Sequence, residues 1–158
     1  MSFKVGIGYD IHRLEEGRPL YLGGVALPYP KGLKGHSDGD CLIHAVIDAL
    51  LGATGSGNIG EIFPDTDPHY RDARSTDLLR KVVEDIRKAG WNIVHVDTVV
   101  IAEAPPLSPH IPRMKRTLCP LLGVRETDLG IKPKTHEGIG ILGEGEAIAA
   151  MAQVLLQA

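Results

Sequence analysis

Two apolar periodicities alternate along this chain with no linker, repeat or low-complexity tract between them, and that alternation limits the fold more than any single motif. Phe3 to His12 reads as a strand, followed by a short hairpin-like segment over Leu20 to Ala26 bounded by Gly23-Gly24 and Pro28. Ile43, Ile47, Leu50 and Leu51 then recur at helical spacing, predicting a helix from about Gly39 to Ala53 with Ser37 or Asp38 as its N-cap. Gly55 to Gly60 breaks that helix, and Phe63 to Pro68 forms a polar loop. Ser75 caps an amphipathic helix carrying Leu78, Leu79, Val82, Val83 and Ile86. Trp91 to Ala102 predicts a strand whose continuous apolar end, Val99-Val100-Ile101, implies cover on both faces, and Pro105-Pro106 stops it. Pro109 to Leu122 predicts a helix, Leu129 to Pro133 a short strand, and Ala147 to Leu156 a closing amphipathic helix. The expected fold is a single α/β domain over residues 1–158, an α+β sandwich in which helices cover one face of a small mixed sheet.

Length allows one domain with a real core and is short for two. Aromatic residues make up 4% and glycines number 19, so the core is aliphatic, the turns are numerous, and burial between subunits is an expected supplement. A net charge of -3 supplies no basic field, which argues against nucleic acid or an anionic membrane as main partner. A polyphosphate ligand would therefore need bound cations and backbone N–H groups. Cys41 and Cys119 are too few for a disulfide framework, so reduced thiols in a cytoplasmic compartment are expected. The start, Met1-Ser2-Phe3-Lys4, lacks an apolar signal core, and no run approaches membrane-spanning length.

Chemistry concentrates in Asp10-x-His12 and His44. Two residues apart on a strand, the Asp10 and His12 side chains point to one face and can grip one cation together. Asp40, His44 and Asp48 stack at i, i+4, i+8 on a helix side away from the apolar stripe, where a core histidine would not be placed. One carboxylate and two imidazoles suit zinc, with a fourth position left open. An Asp-x-His pair is also common at solvated strand ends, and an exposed helix face can carry such a triple as ordinary polarity, so spacing alone leaves both readings open.

With the elements placed, further pieces fall into a recognisable order: Gly8-Tyr9-Asp10-Ile11-His12, Gly23-Gly24-Val25, His36-Ser37-Asp38-Gly39-Asp40 with His44, Asp48-Ala49-Leu50-Leu51-Gly52, Phe63-Pro64-Asp65-Thr66-Asp67, Pro109-His110-Ile111-Pro112, and Lys134-Thr135 with Glu137. In this order and spacing the chain resembles the 2-C-methyl-D-erythritol 2,4-cyclodiphosphate synthase family of the non-mevalonate isoprenoid pathway almost end to end. The resemblance implies a homotrimer with active sites at subunit interfaces. It implies conversion of 4-diphosphocytidyl-2-C-methyl-D-erythritol 2-phosphate into the cyclodiphosphate and CMP, a cytidine diphosphate-linked substrate cyclised without water. Asp10, His12 and His44 would hold zinc (Zn2+), and Glu137 with substrate phosphates a second cation, Mg2+ or Mn2+; this division agrees with nitrogen ligands for the borderline ion and oxygen ligands for the harder one.

By the same resemblance His36 and Thr135 would act on the phosphates in catalysis, with Ser37, Lys134 and His136 beside them; Ser37 also reads as a plain helix cap, and its backbone N–H can serve an anion in either case. Asp65, within Phe63, Pro64, Thr66 and Asp67, would contact the methylerythritol hydroxyls. Asn58, Ile59 and Gly60 would meet the ribose, and Ala102, Glu103, Ala104, Pro105, Pro106, Leu107 and Ser108 would form a cytidine pocket supplied by a neighbouring subunit. Asn58 stands where aspartate is common; an amide still accepts one hydrogen bond without charge assistance. Ile141 and Glu144 stand where many relatives have Phe and Arg around a threefold cavity that takes isoprenoid diphosphates, and three symmetric carboxylates would repel such a ligand.

Two other functions use parts of the same pattern. A 2-His-1-carboxylate Fe(II) oxygenase shares the ligand types, but its all-β scaffold disagrees with the helical periodicity from Asp40 to Leu51. A catalytically silent trimeric metal-binding protein would need none of His36, Asp65, Thr135 or Glu137.

Overall fold

The computed structural model describes residues 1–158. Its sheet is built from β1 (Phe3–Glu16), β4 (Lys31–Leu33), β5 (Asn92–Ile101), β6 (Leu129–Lys134) and β7 (Ala147–Gln157), in the order β4-β1-β7-β5-β6. Only β5 and β6 run parallel; the other neighbours are antiparallel, so the sheet is mixed as expected. A separate hairpin pairs β2 (Leu20–Leu22) with β3 (Val25–Leu27). The helices are α1 (Cys41–Thr54), α2 (Ile59–Ile62), α3 (Ser75–Lys88), α4 (Ile111–Leu122) and a single turn, α5 (Gly140–Gly143).

Strand parity sorts the two faces. On β1 the even positions Gly6, Gly8, Asp10, His12 and Leu14 face the helices; the odd positions Phe3, Val5, Ile7, Tyr9 and Ile11 stand 44–70% exposed on the opposite side. Ile148, Ala150, Ala152, Val154 and Leu156 of β7 and Val96 and Val100 of β5 join the inner face. Against them lie Ile43, Ile47 and Leu50 of α1, then Leu79, Val82 and Val83 of α3 and Met114, Leu118 and Leu122 of α4, giving one aliphatic core.

The helix sits unusually close to the sheet. A Cβ on Gly6 would stand 1.8 Å from the Ala49 carbonyl oxygen. Alanines at 45 and 49 on α1 and at 150 and 152 on β7 keep the opposing surfaces equally thin. This approach brings α1 against the part of β1 from which Asp10 and His12 project.

Four expectations change. Ala147–Gln157 is the central strand β7 rather than a closing helix: Ala150, Ala152, Val154 and Leu156 alternate with Met151, Gln153 and Leu155, and pairing to both β1 and β5 outweighs the helical preference of alanine. The N-cap of α1 is Asp40, whose Oδ1 accepts from the Ile43 N–H at 3.1 Å, not Ser37 or Asp38. Ser75 is the first residue of α3 instead of its cap, and its N–H is taken by Asp38 Oδ2 at 2.9 Å. Val99 and Ile101 are half-buried rather than covered, because within one chain helices cover only the other face.

Candidate active site

The polar series Asp40, His44 and Asp48 on α1 is not a solvated stripe. Asp40 is fully buried; besides capping α1 it accepts the N–H groups of Gly23 at 3.0 Å and Gly24 at 2.7 Å, tying the β2–β3 turn to the helix. Burial, then the nearby Asp38 charge, raise its carboxyl above the usual range. Asp48 accepts the Ile59 N–H at 2.7 Å and so anchors α2. His44, 6% exposed, is left to face β1.

There it meets Asp10 and His12. Asp10 Oδ2 lies 2.8 Å from His12 Nε2 and 3.1 Å from His44 Nδ1, and the two imidazole nitrogens are 3.2 Å apart. Tetrahedral ligands bonded at about 2.0–2.1 Å lie roughly 3.3 Å from one another, so this triangle fits one small cation with an open fourth position. The far side of each ring is anchored. His12 Nδ1–H donates to the Lys34 carbonyl at 2.5 Å, which leaves Nε2 as the nitrogen that would take a cation in place of a proton, and His44 Nε2 contacts Ser75 Oγ at 2.9 Å and Ser37 Oγ at 3.2 Å. Burial alone would raise the Asp10 carboxyl, but hydrogen bonds and charge from His12 and His44 outweigh it and hold it at about 2. Burial lowers His12, and Asp10 more than compensates, so the ring is raised above its usual value.

A cleft of about 350 Å3 opens onto the triangle. Of the residues singled out from sequence, His36, Ser37, Ile59, Gly60, Phe63 and Asp65 line it with the three ligand candidates. His36 Nε2 lies 3.1 Å from the Asp67 carbonyl oxygen, and the Asp67 carboxylate accepts the His69 N–H at 2.9 Å. Asn58 caps α2, its Oδ1 accepting from the Glu61 N–H at 3.1 Å, and Pro64 and Thr66 continue the loop toward Asp67. Lys34, Gly35, Tyr70 and Leu78 also line the cleft. Their sequence signal was faint: Lys34-Gly35 precede His36 directly, and Tyr70 follows the polar loop at a distance only folding closes.

The remaining candidates form a second group at the carboxyl ends of β5 and β6, outside that cleft. The Ala102 N–H donates to the Lys134 carbonyl at 2.9 Å and the His136 N–H to Glu103 Oε2 at 3.1 Å, joining the Ala102–Ser108 segment to Lys134–Glu137. Ala104–Pro105 is a cis peptide, Pro105 and Leu107 are buried, and Pro106 and Ser108 are exposed. Thr135 Oγ–H donates to Glu137 Oε1 at 3.4 Å, and Glu137 has φ +52°, a left-handed conformation rare for a residue with a side chain. Ile141 and Glu144 are exposed around α5. One chain therefore carries two separate groups of candidate residues.

Fold and site together define an α/β protein with a metal-capable Asp-His-His cleft at the junction of sheet and helix. The model of the YgbB family matches residues 3–157, and the chain belongs to that family. It is 52% identical over 155 residues to 2-C-methyl-D-erythritol 2,4-cyclodiphosphate synthase of Neisseria gonorrhoeae, covering 98% of this chain and 97% of that protein. Against the protein of the same name from Geobacillus kaustophilus the identity is 50%, covering 98% of each. A solved structure of a synthase of that name superposes with TM-score 0.91 at 42% identity, covering 98% of this chain and all of the other; a CDP-bound form gives 0.90 at 41%. The bifunctional IspDF protein of Campylobacter jejuni gives 0.93 at 37%, with this chain spanning 42% of its length.

Proposed function

We propose that the protein converts 4-diphosphocytidyl-2-C-methyl-D-erythritol 2-phosphate into 2-C-methyl-D-erythritol 2,4-cyclodiphosphate and CMP, a step of non-mevalonate isoprenoid synthesis. The observation that carries this reading is 52% identity, across 98% of the chain, to an enzyme named for that product. An oxygen of the substrate's own 2-phosphate attacks the β-phosphorus; a new P–O–P bond forms as the P–O bond to the departing CMP breaks, so no water is consumed.

Both attacking and attacked groups are anionic, and the residues must position them while offsetting repulsion. Asp10, His12 and His44 would hold zinc, the borderline ion their nitrogen-rich set favours, and Glu137 with substrate phosphates would hold Mg2+ or Mn2+. When bound, these cations withdraw charge from the phosphates and align the attack. His36, Ser37, Lys134 and Thr135 bind phosphate oxygens, and Asp65 orients the methylerythritol. The Ala102–Ser108 segment receives cytosine, with its buried Pro105 and Leu107 providing a rigid floor.

In this reading the two groups of residues belong to one active site completed by a neighbouring subunit of a homotrimer. Support comes from the sheet face opposite the helices, where Val5, Ile7, Tyr9 and Met151 expose apolar side chains that a soluble monomer rarely leaves bare together. No helix is long and apolar enough to cross a membrane, and both cysteines are free, in keeping with a reducing cytoplasm. Neither nucleic acid nor membrane is assigned as a partner.

Incubation of the protein with the diphosphocytidyl substrate, zinc and Mg2+ should release one CMP per cyclodiphosphate formed, and His44→Ala should release none. Equal release by the variant would remove the triangle from the reaction.

A further inference from the structure

Gly35, His36 and Ser37 form the wall of the cleft beside the Asp10–His12–His44 triangle. The carbonyl oxygens of all three are held from behind. Arg18 Nη1 donates to the Gly35 carbonyl at 3.3 Å and Nη2 to the Ser37 carbonyl at 2.9 Å, so one guanidinium forks around the wall. The His36 carbonyl between them takes the Asp72 N–H at 2.8 Å, from a residue turned into left-handed backbone at φ +57°.

In a trans peptide the C=O and the N–H that follows it point in opposite directions. With the Gly35 and His36 oxygens drawn back to Arg18 and Asp72, the His36 and Ser37 N–H groups are turned forward, and neither finds an acceptor in the chain. Two successive N–H groups of this kind make a concave site for an anion. Arg18 also polarises the Gly35–His36 peptide through its oxygen, which strengthens the His36 N–H as a donor. Its charge is not spent elsewhere, because no carboxylate stands within ion-pair distance of it.

We propose that Arg18 is a positioning residue that aims the backbone N–H groups of His36 and Ser37 at a substrate phosphate by holding the Gly35 and Ser37 carbonyls from behind. Arg18 does not line the cleft and touches no substrate; it acts through the peptide groups in front of it. The proposal rests on reading that wall as the phosphate side of the site.

Clefts of about 370 Å3 and 350 Å3 flank the Arg18 side chain, so Arg18→Ala leaves a hole that guanidinium ion can enter from solvent. In this variant kcat for CMP release should fall on the order of a hundred-fold, the usual effect of misplacing a reacting group by an ångström. KM should change less, since charge on the phosphate oxygens grows in the transition state. Zinc content should stay as in the wild type. Millimolar guanidinium should restore part of the turnover of Arg18→Ala and none of the wild type's, and methylammonium, which carries the charge without the fork, should restore nothing. Arg18→Lys decides the matter if Arg18→Ala does not fold: an ammonium cannot fork to two carbonyls, so its turnover should fall as well. Wild-type turnover in either variant, or a lower melting temperature with kcat unchanged, overturns the proposal, as does equal rescue by methylammonium. Wild-type protein that releases no CMP refutes the proposed reaction instead. Nitrogen-15 NMR with inorganic pyrophosphate then tests Arg18 separately: the His36 and Ser37 amide signals should move in the wild type and not in Arg18→Ala. Unmoved wild-type amides, or equal movement in both proteins, overturn the role given to Arg18.

Discussion

A Cβ on Gly8 would stand 1.9 Å from the carbonyl oxygen of Ala45, one residue beyond His44 on α1. Glycine at position 8 is what lets the helix rest on the strand closely enough for His44 to reach Asp10. Gly8→Ala must push backbone from backbone, and overpacking of this kind costs about 1–3 kcal/mol or more. In an unstrained strand the same change would instead be neutral to stabilising through the unfolded chain. Urea unfolding should show clear destabilisation, and zinc binding should weaken in parallel as His44 is carried off the triangle. A variant as stable as wild type with full zinc affinity would contradict the packing argument.

Ile7 projects from the bare face of β1 with 70% of its surface exposed. If that face packs against other subunits, Ile7→Lys places three charges in an apolar contact and should convert the trimer to monomers in light scattering. Under the proposed shared site activity should fall with assembly, because the cleft and the Ala102–Ser108 segment would come from neighbouring subunits. A wild-type monomer with full turnover would refute the shared site.

In metal-free protein, Asp10 and His12 form an ion pair of opposite pH sign. Asp10 lies at about 2 against an ordinary 3.8, so its contribution, on the order of 2 kcal/mol, is present above about pH 4 and lost as pH falls toward 2. His12 is raised above 6.5, so its contribution is present below that pH and lost as pH rises through the folded value. Chelator-treated protein should therefore gain most over Asp10→Asn, measured by urea midpoints, between about pH 4 and 6.5. A difference that is largest at pH 8 would reverse the sign argued here.

Much of this architecture was legible in the chain. The periods of α1, α3 and α4 were legible, and the parity of β1 put Asp10 and His12 on one face, because short-range spacing alone decides which face a side chain takes; whether His44 joined them or lay on a solvated helix side was left open. β7 was not legible: its alanines serve equally as helix formers and as the small inner residues a closely packed sheet needs, and only long-range pairing decides between them. Asp38 and Ser75 resembled ordinary caps, since their bond joins two segments 37 residues apart. The family resemblance implied that Ala102–Ser108 serves a neighbouring subunit; that Lys134–Glu137 stands with it, outside the cleft, was hidden, because spacing does not tell which strand ends lie together.

Glu137 holds a left-handed backbone beside Thr135, exposed and outside the Asp10–His12–His44 cleft. Glu137→Gln should leave zinc content and fold unchanged, while turnover falls on the order of a hundred-fold as support for the phosphates weakens. Excess Mn2+ should recover part of the loss by mass action. Wild-type turnover by the variant without added divalent metal would remove Glu137 from the reaction.

In the proposed reaction a substrate phosphate, not water, attacks the β-phosphorus. Turnover in water enriched in oxygen-18, followed by phosphorus NMR and mass spectrometry, tests it directly. The expected result is CMP and cyclodiphosphate in equal amounts with no heavy oxygen in either. Heavy oxygen in a product phosphate, or CMP released beside an uncyclised 2,4-bisphosphate, would show hydrolysis and contradict the cyclisation.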